Sequence, residues 1–104
     1  MQLQLNTDNN IQSTEALKKL VSESVHAQLR HYLSKITRIE VHLSDQNAHK
    51  SGPNDILCKM EARVEGTKPV FVTSKSDSKE VALDHALDKM RATLSTLIGK
   101  ITDR

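Results

Sequence analysis

The chain has 104 residues, with 15 Lys and Arg against 13 Asp and Glu, a formal charge of +2 and a single cysteine. This length fits one domain over residues 1–104, and a lone Cys58 excludes an internal disulfide or a cysteine-built zinc site. The apolar share is 37%, in runs far shorter than the roughly 20 residues of a membrane-spanning helix, and MQLQLNTDNN carries neither part of a secretory signal, so the expected location is the cytoplasm with no membrane partner.

Leu3 and Leu5, separated by Gln4, read as a short strand with one buried face. Ser13 or Thr14 then caps a helix whose first turn carries Glu15, a favourable charge at the positive end of the helix dipole. Leu17, Leu20, Val21, Val25, Leu29, Tyr32 and Leu33 recur at helical spacing and predict one apolar stripe over about five turns. From Thr37 to Ser44 the period changes to two, with Ile39, Val41 and Leu43 facing one way and Arg38, Glu40 and His42 the other. Asp45 to Asn54 is polar, contains Gly52-Pro53 and reads as a long loop.

The alternation resumes from Ile56 to Val64, where Cys58, Met60 and Ala62 oppose Lys59, Glu61 and Arg63. Glu65 to Pro69 suits a hairpin turn into Val70-Phe71-Val72-Thr73, completing an antiparallel meander. Asp77 and Glu80 resemble a capping box, after which Leu83, Leu87, Met90, Leu94, Leu97 and Ile101 mark a second helix, with Ala86 and Ile98 beside the stripe. Gly99 is expected to mark fraying or a terminal turn. The order is βαβββα: an α+β two-layer sandwich with two helices packed on one face of a four-stranded sheet. Arg38, Glu40, His42, Lys59, Glu61 and Arg63 are expected on the open face.

Little in this chain suits catalysis. The glycines at 52, 66 and 99 are isolated, so no phosphate-cradling loop forms, and neither a nucleophile elbow nor an HExxH helix is present. Cys58 falls on the inward side of its strand and reads as a core residue rather than a nucleophile. His26 and His31 stand about 140° apart around a helix, His42 is on the outward side of a strand and His49 is in the loop. Asp84, His85 and Asp88 form the one compact cation-ligand set, for which solvated helix residues are the simpler account. The chain reads as a non-enzyme without cofactors or metal.

Tyr32 and Phe71, the only aromatics, are both expected in the core, which disfavours a base-stacking surface. What remains for nucleic acid is phosphate contact through Lys18, Lys19 and Arg30 on the first helix and Lys79, Lys89, Arg91 and Lys100 on the second.

Met1-Gln2-Leu3, Asn9-Asn10-Ile11, Thr14-Glu15-Ala16-Leu17, the passage Leu29 to Leu43 with Tyr32 and Ile36, Ala82-Leu83-Asp84, and Leu87-Asp88-Lys89-Met90 followed by Leu94 occur in this order. In this respect the chain resembles the ribosome hibernation-promoting factor and ribosome-associated inhibitor family, in its short form. The resemblance covers nearly the whole chain and implies a fold like that of a double-stranded-RNA-binding domain. It further implies a translation inhibitor that occupies the decoding channel of the small ribosomal subunit through ribosomal RNA contacts.

Residue by residue, Lys18 matches a basic position early in the family's first helix and Lys89 matches the Lys of its Asp-Lys-Leu segment. Arg91, Arg30 and Lys79 join them as RNA-binding candidates on charge alone. The chain departs from the family pattern at Ser78-Lys79-Glu80, where Asp-Met-Tyr is usual, at Ala92 in place of an Arg, and at Thr96 and Ile98 in place of basic residues. The apolar Leu97-Ile98 pair supports a competing expectation: a protein-interaction or homodimeric module with the same fold that has lost RNA binding.

Overall fold

The computed structural model describes residues 1–47, 52 and 55–102, the last two as backbone only. Its elements are β1 (Gln2–Thr7), α1 (Glu15–Gln28), a 3-10 turn (Leu33–Lys35), β2 (Ile36–Asp45), β3 (Ile56–Val64), β4 (Val70–Ser76) and α2 (Lys79–Thr102). This is the expected βαβββα order. The sheet runs β1-β2-β3-β4, with β1 parallel to β2 and the later pairs antiparallel. A parallel pair needs a crossover, which α1 supplies, whereas a turn suffices between β3 and β4. In that turn Gly66 has φ +81°, left-handed backbone that a side chain would strain.

The period-two pattern produces one buried sheet face. Ile39, Val41 and Leu43 of β2 and Cys58, Met60 and Ala62 of β3 are closed to solvent by Leu17, Val21 and Val25 of α1 and by Leu83, Leu87, Met90 and Leu94 of α2. Burial pushes the Cys58 thiol up to about 12, so it stays protonated at neutral pH and acts as a small apolar side chain. Two bonds fasten the edge strand β4 to α2: the Ser74 hydroxyl donates to the Ala82 carbonyl, and Lys89 Nζ donates to the Thr73 carbonyl at 2.6 Å.

Several local expectations change. The first helix ends at Gln28, shorter than the apolar stripe suggested. Beyond it, Tyr32 N–H bonds the Leu29 carbonyl and Lys35 N–H bonds the Tyr32 carbonyl, each at 2.9 Å. These tighter turns swing the chain into β2 while keeping Tyr32 and Leu33 against the core. Thr14 is the first cap, accepting from Leu17 N–H at 3.0 Å.

The second cap is Ser78 rather than Asp77: its hydroxyl accepts from Val81 N–H at 3.0 Å. Asp77 instead accepts from the Ser76 hydroxyl. Gly99 does not end α2, which continues to Thr102. Leu97 and Ile98 pack against the chain's own core, so they are not a free apolar end. His49, Pro53 and the Ile101 side chain lie outside the described residues.

Candidate nucleic-acid interface

Helix periodicity sets where each candidate cation points. Leu20 and Ser24 border a recess with Val81, Leu83 and Asp84, and the Gln28 amide donates to the Asp84 carboxylate, so these α1 positions face α2. Lys18 lies about 200° around the helix from Leu20, on the flank away from α2. On α2, Lys89 is bound over β4, whereas Arg91 lies about 200° away, toward the α1 side occupied by Asp84. Lys18 and Lys89 thus sit on opposite outer flanks of the helical layer, with Arg91 between the helices. Arg30 stands just past the end of α1, and Lys79 occupies the start of α2 beside Asn10, Ile11 and Asp45. The candidates do not converge on one patch.

Their charges are also engaged differently. Lys18 pairs with Glu15 at 3.3 Å, Lys19 with Glu23 at 3.9 Å and Arg91 with Asp88 at 2.8 Å. Arg30 Nε donates to His31 Nε2 at 3.4 Å. Lys89 meets only a neutral carbonyl, and Lys79 has no ion pair among the described residues. Exposed pairs contribute about 0–1 kcal/mol, so a phosphate can displace such a carboxylate at small cost. Asp84 and Asp88, two of the three cation-ligand candidates, are taken by Gln28 and Arg91. Among the described residues no cluster of three His, Cys, Asp or Glu is placed to hold a metal ion.

The open sheet face differs from expectation in its aromatic. Phe71 is not a core residue: it is 68% exposed, because Val70 and Val72 face inward and the strand alternates. Gln4, Glu40, Glu61 and Phe71 form one row across the strands, and Asn6, His42, Lys59 and Thr73 form the next. Arg38 pairs with Glu40, which also meets His42 Nε2 at 3.2 Å, and Arg63 pairs with Glu61 at 3.1 Å. Lys59 and Lys75 carry no ion pair among the described residues. A shallow cleft of about 470 Å3 opens here, lined in part by Asn6, His42, Leu57, Lys59 and Phe71.

A sequence family described as Sigma 54 modulation protein / S30EA ribosomal protein matches residues 6–102. The chain belongs to this family. S30EA proteins are ribosome-associated binding factors and not enzymes. Comparison with curated protein sequences finds no match. Among solved structures, a ribosomal subunit interface protein from Coxiella burnetii aligns with TM-score 0.79 at 15% identity, covering 95% of this chain and 99% of that one. The N-terminal domain of Protein Y from Thermus thermophilus aligns with TM-score 0.75 at 17% identity, covering 93% and 99%. At these identities the likeness is one of fold.

The S30EA match spans every cation named above, and no helix among the described residues is long and apolar enough to cross a membrane. Phe71, Lys59 and Lys75 were not among the sequence candidates. The signal was nevertheless present: Phe71 is out of phase with Val70 and Val72, and Lys59 with Cys58 and Met60, so parity alone sends both outward.

Proposed function

We propose that this chain is a cytoplasmic, non-catalytic translation inhibitor of the hibernation type, which occupies the decoding channel of the small ribosomal subunit and contacts ribosomal RNA phosphates. Membership of the S30EA family over residues 6–102 carries this reading. Lys89 and Lys18 are the principal contacts, with Arg91, Arg30 and Lys79 as supporting ones. Their distribution suits it: a protein laid on a flat duplex needs its cations on one face, whereas a plug walled by RNA on several sides meets phosphates around its circumference. Inhibition then follows from occupancy, since messenger and transfer RNA need the same space, and no bond is made or broken.

Co-sedimentation with purified small subunits across a salt series tests the proposal. Binding falls as salt rises, because each phosphate contact releases a counterion, and Lys89→Glu or Lys18→Glu weakens it further. Subunits preloaded with messenger and transfer RNA exclude the protein. Absence from the ribosomal pellet even at low salt refutes the reading, and equal binding to preloaded subunits refutes the decoding-channel location.

A further inference from the structure

We propose that the open sheet face binds a single RNA strand, with Phe71 stacking one splayed-out base while Lys59 and Lys75 hold the phosphates beside it. The proposal rests on the ribosomal reading above only for the source of the strand. Phe71 is held on a paired strand with 68% of its surface in water, so its ring is presented rigidly and serves no packing purpose in the core. Lys59 is its diagonal neighbour on β3, and both border the cleft of about 470 Å3. That volume lies toward the lower end of small-ligand clefts, which suits a single base. Leu57 provides a second apolar wall, and the Asn6 amide, which meets His42 Nδ1 at 3.4 Å, retains a second N–H for a base edge.

Charge favours a polyanion. The acids in the middle of this face, Glu40 and Glu61, are half-buried and already paired, the first with Arg38 and the second with Arg63, and Asp8 at the end of the cleft accepts from the Asn10 and Asp45 backbone N–H groups. The ammonium groups of Lys59 and Lys75 have no such partner among the described residues. Lys75 lies four residues along the strand from Phe71, about 13 Å, and on the same face. A protein partner is less well matched: lysine is depleted from interface cores, and one phenylalanine beside a half-buried leucine is far short of the about 1,000 Å2 that a stable interface needs.

The test uses fluorescence anisotropy of a labelled 12-nucleotide single-stranded RNA of mixed sequence, with a 16-base-pair RNA duplex as control. Phe71→Ala weakens the single strand roughly tenfold or more while leaving the duplex unchanged, and Phe71→Trp restores binding. Lys59→Glu weakens the single strand and steepens no duplex effect. A thermal melt of Phe71→Ala matching that of the parent shows that the change is not unfolding.

Failure of the parent protein to bind the single strand, or equal affinity of Phe71→Ala, overturns the proposal. Loss of ribosome pelleting by Phe71→Ala with single-strand affinity unchanged assigns the face to a protein contact and also overturns it. The two readings fail separately. Pelleting that is indifferent to Phe71, with no Phe71-dependent strand binding, removes this inference alone, whereas Phe71-dependent strand binding without any pelleting removes the ribosomal reading alone.

Discussion

On the helical layer Lys18, Lys19 and Arg91 each have a carboxylate within about one turn, Glu15, Glu23 and Asp88, while Lys79 and Lys89 have no ion pair among the described residues. On the open sheet face Glu40 and Glu61 are also paired, but Lys59 and Lys75 remain without an ion pair among the described residues, and the row of Lys59 lies between those of Phe71 and Lys75. The difference follows from geometry. Helix partners come from the same element three or four residues away, so composition tends to neutralise a helix surface locally. On the sheet the ion pairs join residues two apart on one strand, and strand pairing sets Lys59 of β3 diagonal to Phe71 of β4 with the cross-strand neighbours His42 and Thr73, neither of them acidic. Lys18, Lys19 and Arg91 therefore offer phosphate contacts that exchange one anion for another, and the sheet offers unshared charge beside an apolar plane.

The largest expected effect tests whether the two surfaces depend on one core. Leu94→Ala, at a position closed to solvent between α2 and the sheet, is expected to cost about 2–5 kcal/mol in chemical denaturation and to weaken both surfaces together. By contrast, Phe71→Ala is expected to leave the denaturation midpoint within the scatter of the parent, since most of that ring is already in water.

Alkali should act through the shared core next. The Cys58 thiol is raised to about 12 in the folded protein, above its ordinary value, so the folded state holds its proton where the unfolded chain loses it. This stabilisation is fully present below about pH 9 and is lost as pH rises through about 12, amounting to at most a few kcal/mol. Urea unfolding measured at steps of pH above 9 should show the decline, and Cys58→Ala, although less stable throughout, should lose that part of the slope.

Smaller effects separate the layers. Ser78→Ala removes the hydroxyl that caps α2 and should cost about 1 kcal/mol, with faster amide exchange confined to the first turn of that helix. Gly66→Ala, in the turn between β3 and β4, should cost about 1 kcal/mol through its left-handed backbone and loosen the sheet side instead. The smallest is Asp88→Asn, which frees Arg91. Stability should change by less than about 0.5 kcal/mol, while ribosome pelleting at low salt should strengthen if Arg91 meets a phosphate. No change in pelleting would remove Arg91 from the contact set.

The elements, their order and the apolar side of each are legible from residue spacing alone. Alternation in β2 and β3 and the helical stripes of α1 and α2 leave one arrangement that buries all of them together, because an exposed stripe forfeits its transfer free energy. The boundaries were less legible. Ser78 outcompetes Asp77 as the cap, and α1 stops four residues before Tyr32, since the ends depend on where the chain must turn to reach the next strand. Gly99 shows the converse, being carried inside α2 although its local preference is to end a helix.

The surfaces depend on how the two layers are assembled. The positions of Lys18 and Lys89 on opposite flanks follow from how each helix is rotated against the sheet and its neighbour, which charge alone does not specify. Likewise Phe71 is an apolar residue in an apolar-looking strand, and a transfer scale assigns it to the core. Parity against Val70 and Val72 sends it to the other face of the strand, and the packing of both helices on the Val70 and Val72 side leaves that face in water.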